Sequence, residues 1–388
     1  MVGSILLSRT LATTEFAEYT YFLVYVGMAS TALAFGMGSS TVKVFTDLKA
    51  NPRRDNGYIG NAVGILICVF TVYTISVAMF PEFYSARKFD FSVVYLVFTP
   101  FLYGLVLVFN AVNNGLECYR SNAFSSVVFT VTFLVGTVCV DKFSLHDSSV
   151  FIYTLAALTQ AIALVYTIVR NINDAKISLQ LHMSLSAMRE LISSSAAILV
   201  HSFVLVFGVW ILTKFLVAKS PNVDMDLALL GIGLQWMALG LLIPATIMRI
   251  TLPMFRRLRF TSFQNSFASQ RVSIVICVVT ASTFTFFVYI FGDFFLALYG
   301  EQYKDQGSVL ILFCWLAIAI APSNVSSAYL VANDSHWRLI SGSAAWLFCV
   351  SALCVFSVDL SALKAAQFLI VSYSVLSFVL FWQSLRLN

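Results

Sequence analysis

The fold class this sequence predicts is an all-α polytopic membrane protein whose two halves form a parallel pseudo-repeat. Three observations predict it. The 388 residues are 60% hydrophobic and only 11% charged, with mean hydropathy +0.88, whereas soluble domains carry roughly a quarter charged residues. Apolar runs of about 20 residues recur along the whole chain, each long enough to cross ~30 Å as helix. A pair of basic residues also appears twice. Ile5-Leu6-Leu7-Ser8-Arg9-Thr10-Leu11 lies over Trp210-Ile211-Leu212-Thr213-Lys214-Phe215-Leu216, so Arg9 falls on Lys214. Lys43 follows Arg9 by 34 residues and Arg249 follows Lys214 by 35.

The elements can be placed in order. Met1–Leu11 comes first and is too short to span, since it reaches only about 16 Å at 1.5 Å per residue. It is expected to be a helix missing its inner half. Spanning runs then fall near 19–46, 58–80, 91–115, 123–140, 149–170, 190–218, 226–255, 268–295, 307–332, 338–358 and 361–385. They read as helices because barrel strands would be about 10 residues of strict alternation. With the first segment running outward, the loops after the second, fourth, sixth, eighth and tenth segments face the cytoplasm with the C-terminus. Those loops hold most of the Lys and Arg, while most Asp and Glu fall on the other side, a positive-inside distribution. Lys49-Ala50-Asn51-Pro52-Arg53-Arg54 and Arg256-Arg257-Leu258-Arg259 are the densest clusters.

The expected organisation is an N-terminal bundle 1–170, a cytoplasmic linker 171–189 and a C-terminal bundle 190–388. The linker carries Ile177, Leu179, Leu181, Met183 and Leu185 among polar residues. Two readings stay open for it, a surface amphipathic segment and a flexible tether. Met1-Val2-Gly3-Ser4 has no basic leader and Arg9 interrupts the apolar stretch, so no cleavable signal peptide is expected.

Several function classes are excluded by what the chain lacks. There is no HExxH, GxSxG, DxD or phosphate-cradling glycine loop, so no catalytic residue is assigned. The seven cysteines lie mostly inside apolar runs without CxxC or Cys/His metal spacing, and read as small packing residues. No metal or cofactor is expected. The basic residues sit in short loops and offer no basic face for nucleic acid. His201 reads either as a proton relay or as a hydrogen-bonded helix histidine.

The candidate substrate site is the basic quartet Arg9, Lys43, Lys214 and Arg249. Charges inside spanning helices are costly and mark substrate paths, and a repeat at half the chain length is how two-bundle transporters are built. The competing reading is that these long side chains snorkel to headgroups from helix ends. Amides form a second layer. Asn110, Asn113 and Asn114 are spaced i, i+3, i+4 on one helix face, and Asn324 lies with Ser323, Ser326 and Ser327 in the tenth segment. That face either lines a water-filled cavity or hydrogen-bonds between helices. Pro244, Pro253 and Pro322 mark candidate bends.

At these residues the chain resembles a known family. Gly3-Ser4-Ile5-Leu6-Leu7-Ser8-Arg9-Thr10-Leu11 followed by Glu15-Phe16-Ala17-Glu18-Tyr19 is similar to the first hairpin of the polysaccharide flippases. Ile243-Pro244 with Leu252-Pro253 is similar to their eighth helix. Leu298-Tyr299-Gly300-Glu301-Gln302-Tyr303, running on to Ala328-Tyr329-Leu330-Val331-Ala332-Asn333, is the third match. These belong to the multidrug/oligosaccharidyl-lipid/polysaccharide exporter superfamily, and the nearest branch is the bacterial O-antigen flippases of lipopolysaccharide synthesis. The resemblance implies two six-helix bundles around a central cavity in the bacterial inner membrane. It implies a non-enzymatic flippase for undecaprenyl-pyrophosphate-linked oligosaccharide, with cavity cations meeting the pyrophosphate. Membrane lipids and other polysaccharide assembly proteins are the implied partners. Family members open with a complete first helix, so two readings stay open: about ten further apolar residues are encoded upstream of Met1, or the first helix is half-length. Two alternatives stay open. One is a multidrug exporter of the same superfamily, for which cationic drugs call for acidic cavity residues; Glu117, at an inner helix end, is the nearest. The other is a membrane glycan polymerase or ligase.

Overall fold

A helix satisfies its own backbone hydrogen bonds, which is what a chain this apolar needs in lipid. The computed structural model describes residues 2–35, 58–84, 91–140, 148–174, 185–261, 263–333 and 335–387, with positions 38, 41, 42 and 45. Among the described residues the regular structure is helical throughout. In order the helices are α1 (Val2–Thr10), α2 (Thr13–Leu33), α3 (Tyr58–Met79), the one-turn α4 (Pro81–Tyr84), α5 (Val93–Gly115), α6 (Tyr119–Val140), α7 (Ser148–Asp174) and α8 (Leu185–Lys219). Then come α9 (Val223–Gly240), α10 (Leu242–Thr261), α11 (Phe263–Ala297), a 3-10 turn (Glu301–Gln306), α12 (Gly307–Ala332), α13 (Arg338–Phe356) and α14 (Ala362–Leu385). Nine of the described helical segments are long and apolar enough to cross a membrane. The protein is a multi-pass membrane protein.

The helices follow most of the expected runs closely, with two differences. In the run expected at 19–46, α2 starts earlier, at Thr13, and stops at Leu33, with a turn at Ala34–Phe35 where Phe35 has φ 48°. The single run expected at 226–255 is two helices, α9 stopping at Gly240 and α10 restarting at Leu242. Pro244 has no N–H to give Gly240, and its ring crowds that carbonyl. The chain turns at Leu241, whose N–H bonds Met237 O and whose carbonyl receives the Ala245 N–H. Most of the linker expected at 171–189 lies outside the described residues.

Lipid-facing stripes are visible as exposed apolar residues at helical spacing. On α6, Phe124, Val127, Val131, Val135 and Val138 are all between 53% and 63% exposed. Such a stripe would be unstable against water but is at home in hydrocarbon.

The chain divides into two compact units, Gly3–Tyr21 with Phe207–Asn388, and Phe22–Val206. Helices α2 and α8 contribute to both.

In the first unit α12 is the central helix, packed by α9, α10, α11 and α14. Lipid tails are as apolar as leucine, so close packing and hydrogen bonds hold such helices together. Gly233 and Gly208 provide the close approach: a Cβ there would fall 2.1 Å from Phe313 and Trp346 respectively. One end of the unit is tied by charge. The Lys219 ammonium donates to the carbonyls of Cys354, Val355 and Ser357 at 2.7–3.0 Å, satisfying the last carbonyls of α13. The Asp226 carboxylate accepts from Ser220 Oγ at 2.6 Å and from the Ala362 N–H at the start of α14 at 2.8 Å. On the same connection, the Lys364 ammonium bonded to Asp359 holds that exposed carboxyl below its ordinary range.

In the second unit α7 packs on α5 and α6, and α3 packs on α5. Pro100 lies inside α5 and leaves the Leu96 carbonyl without its helical donor. Two tyrosines fill the gap: Tyr25 Oη donates to Leu96 O at 2.8 Å and Tyr73 Oη at 2.6 Å. Their hydroxyls also touch each other, and Tyr84 packs edge-on against both rings. Either tyrosine alone still covers the carbonyl. Tyr25→Phe and Tyr73→Phe are therefore expected to be mild singly. The double variant is expected to cost about 1–3 kcal/mol, the penalty of an orphaned buried carbonyl. Thermal unfolding in detergent checks this, and a double variant no worse than the singles would refute it.

Helix α5 ends in a Schellman pair. The Cys118 N–H bonds Asn113 O and the Glu117 N–H bonds Asn114 O, with Glu117 in the left-handed region at φ 60°. A side chain there is strained by about 1–2 kcal/mol. Glu117→Gly is expected to raise the unfolding temperature. A fall instead would mean that the Glu117 carboxylate holds something worth more than the relieved strain.

Candidate functional site

The residues singled out from the sequence fall into three different surroundings. Lys214 lies on α8, five residues from its end, half-buried within the apolar stretch Ala196–Lys219. Its ammonium sits 5.1 Å from the Trp210 ring centre, one helical turn back, and 5.5 Å from that of Tyr21 on α2. Both rings are buried, and Trp210 stacks on Phe207 at 5.7 Å. Aromatic faces attract a cation by about 0.5–2 kcal/mol, more as water is excluded. The ammonium is thereby held over two buried rings. Tyr21 and Trp210 were not among the residues singled out from the sequence. The signal was present at Trp210, four residues before Lys214 on the same helix face; Tyr21 had none, since its approach is tertiary.

Arg9 occupies the equivalent slot of the repeat but has other surroundings. Its Nε donates to Leu298 O at 2.7 Å and its Nη2 to Ala297 O at 3.3 Å. Beside it Ser8 Oγ donates to Tyr299 O at 2.9 Å. A cation on the last carbonyls of α11 is favoured by the helix dipole. These bonds fix α1 against α11. A few turns on, Thr20 of α2 rests on Gly231 of α9, where a Cβ would come within 2.3 Å of its Oγ1. Of the other two cations, Lys43 and the side chain of Arg249 lie outside the described residues; the Arg249 backbone is in α10.

The asparagine face makes a hydrogen-bonded network across three helices. Asn113, fully buried, donates to Asn122 Oδ1 of α6 at 3.0 Å and accepts from Asn171 Nδ2 of α7 at 3.0 Å. Asn122 Nδ2 in turn donates to Asn114 Oδ1 at 2.8 Å and to Asn110 O at 3.1 Å. Asn171 also reaches Ser121 Oγ at 2.9 Å. The side chains of Asn113 and Asn114 bond between helices, whereas Asn110 joins only through its main-chain carbonyl and its Oδ1 is buried without a hydrogen-bond partner. The cluster lies in the last turns of α5 and not mid-helix. Asn122, Asn171 and Ser121 had no place in the sequence reading, because they belong to the polar helix-end clusters Arg120-Ser121-Asn122 and Arg170-Asn171, which read as membrane-edge residues. In the other unit Asn324 is half-buried on α12, beside Ser323, which bonds Ile320 O at 2.8 Å.

Among the described residues no group of three His, Cys, Asp or Glu comes together as a metal site. His201 is buried within α8.

The fold and these charges describe a multi-pass helical membrane protein with a lysine embedded in a span. Residues 1–259 match the polysaccharide biosynthesis protein family, and the chain belongs to that family. Compared with solved structures, it has the fold of the multidrug resistance MATE transporters of the MOP superfamily. It is similar to an inward-facing member (13% identity, TM-score 0.72, covering 99% of this chain and 97% of that one). It is also similar to an outward-facing member (11%, TM-score 0.69, 99% and 90%). A third similar structure is a MOP superfamily transporter from Pyrococcus furiosus Vc1, described as having a binding pocket of reverse polarity suggesting a different function (13%, TM-score 0.70, 99% and 90%). No curated protein sequence matches the chain.

Proposed function

We propose that the protein is a flippase. Its substrate is an undecaprenyl-pyrophosphate-linked oligosaccharide, an O-antigen unit or a relative, carried across the bacterial inner membrane. The observation that carries the reading is Lys214, a cation held among aromatic rings inside a span, in a family that builds polysaccharide. A pyrophosphate does not enter hydrocarbon unpaired. Cations along the headgroup's path lower that barrier without covalent chemistry. Alternate exposure of the path then moves the headgroup while the lipid tail stays in the bilayer. Lys214 is the cation we place on that path first, with Arg249 and Lys43 following by the repeat, and Asn324 as a candidate for the sugar. Arg9 serves the same path by holding α1 against α11. The transporter described as having a binding pocket of reverse polarity, suggesting a different function, supports the view that this fold is not tied to one function.

Leaflet-resolved detection of lipid-linked oligosaccharide in cells with and without the gene tests the proposal. A flippase leaves the glycan's covalent structure unchanged and moves it from the inner to the outer leaflet. Unchanged leaflet distribution would end the proposal. A changed glycan chain length would place the protein with the polymerases and ligases, and loss of drug resistance alone would place it with the multidrug exporters.

A further inference from the structure

Two arginines of the first unit, Arg338 and Arg386, sit at the final turn of α14, and a third, Arg271 of α11, directly follows a residue bonded to that turn. Arg338, in the first turn of α13, donates from Nη1 to Gln383 O at 3.0 Å. Arg386 caps α14 with its guanidinium 5.5 Å from the Trp382 ring centre. Arg271 of α11 lies over Phe267 at 4.4 Å, and its neighbour Gln270 donates to Ser384 Oγ of that same turn at 3.0 Å. Among the described residues no carboxylate pairs with any of the three; Asp334 lies outside them. Directly beside these cations the surface becomes apolar and aromatic. Trp337 is 67% exposed and Trp382 is 49% exposed, and Trp382 stacks on Phe378, itself 68% exposed one turn deeper along α14.

We infer that this corner of the first unit is a binding site for an anionic phospholipid. Arg271, Arg338 and Arg386 would hold its phosphate, and Trp337, Trp382 and Phe378 would pack its glycerol and upper acyl chain. The ligand must be both anionic and amphipathic, because the cations adjoin exposed rings and not open water. Guanidinium suits the task, since its fork matches phosphate oxygens. Indole rings settle at the depth of the headgroup. Phosphatidylglycerol has this chemistry. The inference stands apart from the transport proposal, because the site lies on the outside of one unit and needs no substrate.

The test uses the purified full chain, stripped of lipid and offered phosphatidylglycerol or phosphatidylcholine, with bound lipid counted by native mass spectrometry. The wild type is expected to prefer phosphatidylglycerol by about tenfold or more, since each basic residue near a membrane surface contributes about fivefold. R271Q/R386Q is expected to lose most of that preference and R271K/R386K to keep much of it. Arg338 is left in place because it supports α14. If R271Q/R386Q fails to fold, R386Q alone, exposed at the helix end, carries the same test. The exposed arginines of the other unit serve as a control, and R120Q/R170Q is expected to behave as wild type. Full preference in the folded R271Q/R386Q protein, or an equal loss in R120Q/R170Q, would overturn the site. Displacement by inorganic phosphate as readily as by phosphatidylglycerol would overturn the lipid as its ligand.

Discussion

Asn113→Leu is expected to lower both the unfolding temperature in detergent and the amount of protein in the membrane. Asn113 is wholly buried, so water cannot replace what it loses. Its removal leaves Asn122 Oδ1 without this donor and Asn171 Nδ2 without this acceptor. An orphaned buried polar group costs about 1–3 kcal/mol, while interhelical bonds inside membranes average nearer 0.6 kcal/mol. Two bonds therefore bracket a loss of roughly 1–6 kcal/mol, which is large against a typical stability of about 5–15 kcal/mol. The lower part of that range applies if Asn171 shifts wholly to Ser121, which it already touches. A network role predicts that transport and abundance fall together. Asn324→Ala gives the contrast. Asn324 is only half-buried, and if it meets the sugar its loss lowers transport at unchanged abundance. Normal abundance and stability in Asn113→Leu would show that the amides are not what joins α5, α6 and α7.

The membrane explains why so much of the fold was legible. Hydrocarbon requires each crossing to be a long apolar helix, so runs such as 91–115 and 307–332 announce Val93–Gly115 and Gly307–Ala332 almost residue for residue. The break before Leu242 was partly legible too: Pro244 flagged a bend, but a bend and a full stop look alike in sequence. The site was harder to read, because a position in a repeat does not fix its surroundings. Arg9 and Lys214 occupy the same slot, yet Arg9 lies on carbonyls 289 residues away while Lys214 lies over two rings. Likewise the i, i+3, i+4 pattern placed Asn110, Asn113 and Asn114 on one face. It could not say that Asn122 and Asn171 meet that face, since a partner on another helix leaves no periodic trace. Pro100 was not among the marked prolines, because its carbonyl partners, Tyr25 and Tyr73, look like ordinary apolar-run aromatics.

Lys214→Ala is expected to reduce transport by about tenfold or more while the protein reaches the membrane in normal amounts. A hydrogen bond to a charged group contributes about 1.5–3 kcal/mol, and each 1.4 kcal/mol is a factor of ten. Structural costs pull less hard. The two ring contacts of Lys214 are worth about 0.5–2 kcal/mol together with their desolvation, and Tyr21 and Trp210 remain packed without the ammonium. Charge should matter more than shape, so Lys214→Arg is expected to retain much of the activity. Arg249→Lys is expected to be the costlier of the two conservative exchanges, because a lysine replaces a two-pronged donor with a point charge. The rival reading, a cation snorkelling from a helix end, predicts the opposite division: alanine would be tolerated in transport or would lower abundance. Lys214→Ala/Arg249→Ala separates the two most clearly. A double variant at wild-type abundance that still moves the oligosaccharide to the outer leaflet at full rate would remove both cations from the path.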